Sequence, residues 1–256
     1  MLDFSTKVFS APMGNTHLFF VGQAGFIVKS KKGSLLGIDL YLSDCVERIE
    51  GHIGFKRLQP KILHANDIVF DVLITTHPHT DHFDIDSVPK LMANSKTRLF
   101  ASVDCAKEVG RLYMNDDRIR YVSPGEFFEE SDFKIHFINC DHGSGAPDAF
   151  GVIIEVDEKR ICIVGDTCLR LDRTDEYLSK GVIDILIAPI NGAYGNLNEE
   201  ECAILSDALE PELTIPCHYG MFASHGGSPE KFISIMNSKY KDKRYLLMTQ
   251  GEGICL

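Results

Sequence analysis

A six-residue segment with three histidines and an aspartate constrains the fold of this chain more than any other feature. Residues 71–76 read DVLITT, as a buried strand does, and lead directly into HPHTDH, which contains His77, His79, Asp81 and His82. Alternate residues of an extended chain point the same way, so the first two histidines can converge on one ion. The other two side chains follow after a turn and can face a neighbouring ion. Neutral imidazole and carboxylate suit Zn²⁺, Mn²⁺ or Fe²⁺. The segment therefore predicts a metal site at a strand end; the alternative is a polar surface loop with chance histidines.

Apolar periodicity and turn residues predict strands and helices along the whole chain. The expected strands lie at 17–21, 26–30, 34–39, 71–76, 98–102, 134–138, 150–156, 160–164, 183–188 and 213–216, the first three as an antiparallel meander. The expected helices lie at 85–94, 104–113, 176–180, 199–209 and 229–237. This order is typical of two mixed sheets packed face to face with helices outside, although periodicity alone does not separate it from other layered α/β folds. No repeat, linker or charge block divides the sequence, so we expect one domain over residues 1–256.

Charge and cysteine usage limit the partners and the compartment. Lys and Arg number 26 and Asp and Glu number 37, and this formal charge of −11 argues against nucleic acid, whose phosphates are bound by clustered Lys and Arg. A small anionic substrate at a metal centre stays open. The eight cysteines are scattered without a CxxC pair, and the N-terminal residues lack a basic stretch followed by an apolar one. Together these features predict the reducing cytoplasm. No run approaches the ~20 apolar residues of a membrane span, so we expect no membrane partner.

The HPHTDH segment resembles the HxHxDH signature of the metallo-β-lactamase superfamily, and further motifs of that family follow along most of the chain. The resemblance implies an α/β fold, the metallo-β-lactamase-like αββα sandwich of two mixed sheets with outer helices. It also implies two divalent metal ions as cofactors, either Zn or Mn or else Fe. The metal ligands that it implies are His77, His79, Asp81, His82, His142, Asp166 and His218.

The later ligands and one further acid have separate roles in that superfamily. The resemblance implies that His142 completes the first metal site, that Asp166 bridges both metals and that His218 closes the second site. Asp39, at the end of an early strand, corresponds to an aspartate that orients the ligands, as metal-bound imidazoles commonly require. Considered singly, each residue has an ordinary alternative: a loop histidine, a turn aspartate, a core histidine and a solvent-facing acid.

Three stretches resemble a narrower bacterial branch that includes L-ascorbate-6-phosphate lactonase. They are GIDLYLSD at 37–44, NGAYGNLN at 191–198 and PCHYGMF at 216–222, although Leu40 stands where the branch has proline. The resemblance implies a metal-dependent hydrolase of the lactonase or esterase kind. A metal-bridging hydroxide would attack a lactone or ester of a small anionic substrate, such as a phosphorylated sugar. The branch also implies a homo-oligomer.

Five residues are candidates for contact with the substrate. We expect Asp81 to pass a proton to the leaving alkoxide in addition to binding metal. Tyr194 and Tyr219 are candidates for a hydrogen bond to the substrate carbonyl or anion, and both could instead be packing aromatics. His225 lies in a glycine-rich turn before a helix, where backbone N–H groups could receive an anion, and the ordinary alternative is a helix cap. Asn191 is a further candidate in the same group.

Other functions use the same metal core. A phosphodiesterase acting on a cyclic nucleotide or a similar small phosphodiester is the main enzymatic alternative, whereas a thioesterase for a glutathione or coenzyme A ester would need a basic cluster that the sequence lacks. A metal-binding sensor that keeps the fold without turnover is the alternative outside enzymes. Hydrolysis of lactones or of a bis-aryl phosphodiester would separate these classes.

Overall fold

Strands from both halves of the chain build two sheets. The computed structural model describes residues 3–256 and contains thirteen strands in that range. They are β1 (His17–Gly22), β2 (Gly25–Lys29), β3 (Leu35–Ile38), β4 (Val72–Thr75), β5 (Arg98–Ser102), β6 (Ile119–Val122), β7 (Phe127–Glu130), β8 (Phe133–Asn139), β9 (Phe150–Val156), β10 (Lys159–Ile163), β11 (Ile185–Pro189), β12 (Leu213–Cys217) and β13 (Gly253–Cys255).

Seven α-helices connect these strands within the described residues. They are α1 (Phe4–Ser10), α2 (Cys45–Glu50), α3 (Val88–Leu91), α4 (Ala106–Arg111), α5 (Thr174–Leu178), α6 (Glu199–Leu209) and α7 (Pro229–Lys239). Short 3₁₀ turns lie at Gly51–Ile53, Val103–Cys105, Gly143–Gly145 and Leu171–Arg173. No helix in residues 3–256 has the length and apolar character needed to cross a membrane. All eight cysteines are free thiols.

Both sheets are mixed, which confirms the predicted fold class. The first has the order β13-β1-β2-β3-β4-β5-β6, and the second has the order β12-β11-β10-β9-β8-β7. β1, β2 and β3 form the predicted antiparallel meander, and β3 to β6 run parallel. In the second sheet β7 to β10 are antiparallel, whereas β10, β11 and β12 are parallel. The parallel strands of the two sheets therefore send their carboxyl ends toward loops that can carry a site.

Three apolar layers hold the fold together. The central layer joins the two sheets, as the 5.9 Å separation of the Phe100 and Phe137 ring centroids across them shows. Outside the first sheet, Val8 of α1 belongs to a second buried cluster. Outside the second sheet, Phe232 of α7 and Leu205 of α6 belong to a third. The alternation of core-facing and helix-facing residues along each strand produces this αββα layering.

The structure differs from the sequence prediction in one shortened helix and in five elements that were not predicted. The helix expected at 85–94 is reduced to α3, because the Asp84 carboxylate accepts hydrogen bonds from the backbone N–H groups of Asp86 and Ser87 and holds that stretch as a turn. The helices α1 and α2 and the strands β6, β7 and β13 were not predicted. β6 and β7 have only four residues each and are mostly exposed or partly buried, so no period-2 apolar pattern stands out.

The ring of Phe137 is 1% exposed and packs against aromatic neighbours from both sheets, so its removal should cost more than that of a surface ring. We expect Phe137→Ala to lower the free energy of unfolding by about 3–5 kcal/mol in urea titrations. Phe127→Ala, at a ring that is 45% exposed in β7, is the matched control and should cost below about 1 kcal/mol. Equal losses in the two variants would contradict the assigned layers.

Candidate metal centre

Strand ends from both sheets deliver the predicted ligands to one place. His77 follows β4 by two residues, His142 follows β8 by three, Asp166 follows β10 by three and His218 directly follows β12. In the loop after β4, Asp81 and His82 occupy a tight turn in which the N–H of His82 donates to the carbonyl oxygen of His79 over 2.9 Å. The seven residues expected as ligands therefore lie around one point between the sheets.

The first group of ligand atoms comes from three histidines. The Nε2 of His77 and the Nε2 of His142 each lie 3.0 Å from the Nδ1 of His79. Tetrahedral Zn–N bonds of about 2.0–2.1 Å separate ligand atoms by roughly 3.3–3.4 Å. These three nitrogens thus lie close enough together to be ligands of one ion.

The second group contains a carboxylate and two histidines. The Nε2 atoms of His82 and His218 are 3.2 Å apart. The Oδ2 of Asp81 lies 3.5 Å from the Nε2 of His218 and 3.7 Å from the Nε2 of His82. This spacing again matches a single coordination sphere.

Asp166 lies between the two groups and offers one oxygen to each. Its Oδ1 is 3.4 Å from the Nε2 of His82 and 3.2 Å from the Nε2 of His218. Its Oδ2 is 3.9 Å from the Nε2 of His142 and also accepts a hydrogen bond of 2.8 Å from the Nδ2 of Asn196. The carboxylate is therefore oriented so that its two oxygens face different groups.

The electrostatics of the cluster favour a cation. Asp39 and Asp166 are buried, and within residues 3–256 the ion-pair partners of these two and of Asp81 are histidines alone. Burial by itself would lower the pKa of His82. The carboxylates of Asp166, Asp39 and Asp81 outweigh burial and raise the pKa of His82 well above its ordinary value. By contrast, burial holds the pKa of His77 well below its ordinary value, which keeps that imidazole neutral and able to bind metal.

Imidazole and carboxylate donors at these spacings, around buried negative charge, fit divalent metal ions. The donor groups found among the described residues contain no cysteine. Cys140, two residues before His142, donates a 2.8 Å hydrogen bond from its Sγ to the backbone oxygen of Asp166. Burial raises the pKa of the Cys140 thiol, which keeps the group protonated. Such a nitrogen and oxygen set suits Zn, Mn and Fe alike.

A second layer of side chains orients the ligands. The backbone N–H and the hydroxyl of Thr76 donate to the two oxygens of Asp39 over 2.8 and 2.7 Å. The Oδ2 of Asp39 lies 2.9 Å from the Nδ1 of His82, so the other ring nitrogen of His82 faces the ligand cluster. Asp39 therefore occupies the position expected of an orienting carboxylate.

Left-handed backbone is concentrated at this site. Four of the nine non-glycine residues with positive φ in the described chain belong to it: Gln23 at 55°, Asp39 at 47°, Tyr194 at 56° and His218 at 64°. Each such residue costs about 1–3 kcal/mol of strain. The N–H of His218 donates to the carbonyl oxygen of Gln23 over 2.8 Å, which joins two of these strained positions directly. Packing therefore holds the site in a geometry that local preferences oppose.

Two amide side chains at the site were not predicted from the sequence. Asn196 holds the Oδ2 of Asp166, as described above. Gln23, in the turn between β1 and β2, donates a hydrogen bond of 2.9 Å from its Nε2 to the Oδ2 of Asp81. Asn196 lies in the NGAYGNLN stretch, whose resemblance to the lactonase branch could have indicated a role at the site. The GQAG turn around Gln23, by contrast, has the sequence of an ordinary hairpin.

A cavity of about 240 Å³ opens onto the ligands and is lined by three of the expected substrate residues, of which Asp81 is also an expected metal ligand. Tyr194 and His225 line it together with Phe55, and the ring centroids of Phe55 and Tyr194 are 5.8 Å apart. Glu50 is a further lining residue, and the lining contains no Lys or Arg among the described residues. The mouth of the site is thus aromatic and carries no positive side chain.

The structure places two other expected substrate residues away from this cavity. The hydroxyl of Tyr219 donates to the backbone oxygen of Met248 over 2.7 Å, and the residue lines a separate cavity of about 430 Å³. The side-chain oxygen of Asn191 accepts from Asn196 over 3.2 Å, and Asn191 lies outside the cavity lining. The structure therefore does not bring these two side chains to the cavity that opens onto the ligands, and their contact with the substrate stays a prediction.

The glycine-rich turn of His225 also differs from its expected role. The backbone N–H of Ser228 donates to the Glu199 carboxylate over 2.9 Å, so an acid of the protein already occupies the start of α7. An added Cβ at Gly226 would lie 2.5 Å from the backbone oxygen of Asn191, and its φ is +78°. Glycine is needed at position 226 because its backbone lies close to that of Asn191 and its φ is positive.

Comparison with known proteins agrees with this geometry. The family model of the β-lactamase superfamily domain matches residues 17–218, which include all seven expected ligands. The chain belongs to the metallo-β-lactamase superfamily. The resemblance to that superfamily inferred from the sequence is thereby confirmed.

Curated relatives and solved structures extend this result. A UPF0173 metal-dependent hydrolase of Polynucleobacter asymbioticus is 24% identical over 94% of this chain and 86% of its own length. A metallo hydrolase from the archaeon Ignicoccus hospitalis has a TM-score of 0.73 at 20% identity and covers 94% of this chain and 98% of its own. An isothiocyanate hydrolase from Delia radicum gut bacteria has a TM-score of 0.70 at 18% identity, with coverage of 94% and 98%. The chain is thus placed among the metal-dependent hydrolases of this superfamily.

Replacing Asp39 tests whether the second layer controls metal binding. Asp39→Asn removes the carboxylate that holds His82, and we expect the affinity for Zn²⁺ to fall about 10–100-fold in competition with a chromogenic chelator. Asp132→Asn is the control, because Asp132 also accepts hydrogen bonds from two hydroxyl groups but lies near Ser30 and Ser34, outside the site. Equal Zn²⁺ affinity in Asp39→Asn and the native protein would show that Asp39 does not orient a ligand.

Proposed function

We propose that the site binds two divalent metal ions and hydrolyses an ester or lactone of a small, uncharged molecule. His77, His79 and His142 would hold one ion, and Asp81, His82 and His218 would hold the other. The observation that carries the proposal is the orientation of Asp166, whose Oδ1 and Oδ2 face different ligand groups. A carboxylate set in that way is suited to bridge two ions.

Each part of the site has a chemical task in this proposal. When bound, the ions activate water and polarise the substrate carbonyl. Asn196 and Asp39 keep the ligand atoms of Asp166 and His82 in place, which reduces rearrangement during the reaction. Asp81 is ionised in the resting site, so it is the candidate for accepting the proton that the attacking water loses and for passing that proton to the leaving alkoxide. Burial raises the pKa of Asp81, whereas the positive charge that His82 and His218 can carry lowers it. The histidines outweigh burial, so the pKa of Asp81 is lower than usual.

The cavity favours an uncharged substrate over the phosphorylated one suggested by the resemblance to the lactonase branch. A phosphate outside the metal sites would need Lys or Arg, and the described lining offers Glu50 and neutral side chains instead. Phe55 and Tyr194 present aromatic faces at the mouth, which suit an apolar or planar group beside the ester. The anionic substrate expected from the sequence is therefore replaced in this proposal by a neutral one.

A substrate panel after metal exchange tests the activity. Protein stripped with a chelator should lose hydrolysis and regain it with Zn²⁺ or Mn²⁺. The restored protein should turn over a neutral aryl ester and a neutral lactone with kcat/KM at least about tenfold above that for a phosphorylated lactone. Preference for a bis-aryl phosphodiester would instead identify a phosphodiesterase. Hydrolysis of no substrate by protein that holds two ions would favour a metal-binding sensor.

Asp81 is tested by a neutral replacement of similar shape. We expect Asp81→Asn to reduce kcat roughly 10²–10⁴-fold, since the amide cannot pass a proton. Metal content, measured on the same sample, separates this effect from ligand loss. Asp86→Asn is the control, because Asp86 lies in the same loop and pairs with Arg48 at the surface. Unchanged turnover in fully metallated Asp81→Asn would remove the proton-transfer role.

The cytoplasmic location and the homo-oligomer stay predictions. The free thiols are compatible with a reducing compartment. The prediction that nucleic acid is not a partner rests on the formal charge of −11.

A further inference from the structure

One buried glutamine connects a metal ligand to a cavity histidine. Gln23 is fully buried, and its Nε2 lies 2.9 Å from the Oδ2 of Asp81 and 2.8 Å from the Nδ1 of His225. An amide NH₂ group carries two hydrogens, so one group meets both of these acceptors. The same nitrogen lies 3.3 Å from each ring nitrogen of His218, as it would above the ring face. Gln23 therefore contacts three functional side chains at once.

The chemistry of these partners decides which atoms carry hydrogen. The Asp81 carboxylate only accepts hydrogen bonds, so the amide of Gln23 must turn its NH₂ toward it. The second hydrogen then points at the Nδ1 of His225, which must accept. A neutral imidazole that accepts at Nδ1 carries its proton at Nε2. The contacts of Gln23 thus select one tautomer of His225.

The other ring nitrogen of His225, Nε2, is available on a residue that lines the cavity. His225 lines the 240 Å³ cavity, and its Nε2 has no hydrogen-bond partner within residues 3–256. Its ring packs against Tyr194, Phe55 and His218 with centroid separations of 5.5, 5.3 and 4.6 Å. The ring is consequently fixed in orientation while one N–H stays available to a ligand.

The protein keeps this arrangement at a cost. The Oε1 of Gln23 is buried without a hydrogen-bond partner, which costs about 1–3 kcal/mol, and the residue has a φ of 55°. An apolar side chain would avoid the unpaired oxygen. The two donor hydrogens are the property that an apolar replacement would lose, and they are directed at Asp81 and His225.

We propose that His225 is a catalytic residue whose Nε2–H donates a hydrogen bond to the substrate carbonyl oxygen as that oxygen gains negative charge, and that Gln23 is the positioning residue that selects this tautomer. The assignment for His225 rests on the proposed ester or lactone hydrolysis. Preorganised donors of this kind stabilise the transition state without rearrangement. No proton leaves His225 in this step, because the imidazole acts as a neutral donor throughout.

The tautomer is measured directly by ¹⁵N NMR of the full chain loaded with Zn²⁺, with the His225 signals identified by their loss in His225→Phe. We expect His225 to carry its proton on Nε2 in the native protein. In Gln23→Glu the new carboxylate only accepts, so the proton of His225 should move to Nδ1. Gln59→Met is the matched control, because Gln59 bonds to the backbone oxygen of Gly220 and should leave the His225 signals unchanged.

Kinetics with the ester substrate test the role of the N–H. His225→Phe keeps an aromatic ring without the donor, and we expect kcat to fall about 10²–10³-fold with KM changed by less than about threefold. His225→Gln supplies an amide donor and should recover part of the loss. Bound Zn²⁺ should stay at the native level in both variants, since His225 binds no metal in this account.

Four results would overturn all or part of the proposal. A proton on Nδ1 of His225 in the native protein would exclude selection by Gln23, whatever the kinetics. Native kcat in His225→Phe would exclude the catalytic role, and loss of Zn²⁺ from that variant would make His225 a ligand instead. If the native protein hydrolyses no ester or lactone, the proposed function and the role of His225 both fail, while the tautomer still decides the role of Gln23.

Discussion

Burial of negative charge between the two sheets is the constraint on which the rest of this structure depends. Asp39, Asp81 and Asp166 meet there, and an isolated buried carboxylate costs several kcal/mol unless it is paired and hydrogen-bonded. Histidine nitrogens surround the carboxylates, and backbone in the left-handed region holds Asp39 and His218 in place. The carboxyl ends of β4, β8, β10 and β12 must therefore lie at one edge of the two sheets, because the ligands that follow these strands surround the same carboxylates.

Much of this could be predicted from the sequence because the relevant signals are local. The HPHTDH segment directly follows a strand, so its three histidines were expected in one loop at the end of that strand. His142, Asp166 and His218 follow other strands in the same manner, and a resemblance in their order was enough to group them. The two mixed sheets followed from the strand and helix pattern together with that resemblance, because the pattern alone left other layered α/β folds open. Short edge strands such as β13, with three residues, gave no readable period.

The remaining features depend on contacts between distant segments. Gln23 contacts Asp81 and His225, which are 58 and 202 residues away in the sequence. The GQAG turn itself contains no pattern that predicts these contacts. The direction of the Tyr219 hydroxyl depends on how the segment around Met248 packs, so a motif that includes Tyr219 could not show that this group is used elsewhere. The absence of Lys and Arg from the cavity lining likewise could not be read from a motif. Glu50, the last residue of α2, and Phe55, which follows the 3₁₀ turn at Gly51–Ile53, line the cavity and lie outside every recognised motif.

The central claim is that Asp166 joins two metal positions, and anomalous diffraction from crystals grown with Mn²⁺ tests it most directly. The account predicts two anomalous peaks, one beside His77, His79 and His142 and the other beside Asp81, His82 and His218. Each peak should lie within a coordination distance of roughly 2.0–2.2 Å from a different oxygen of Asp166. A single peak, or two peaks of which one has no contact with Asp166, would contradict it.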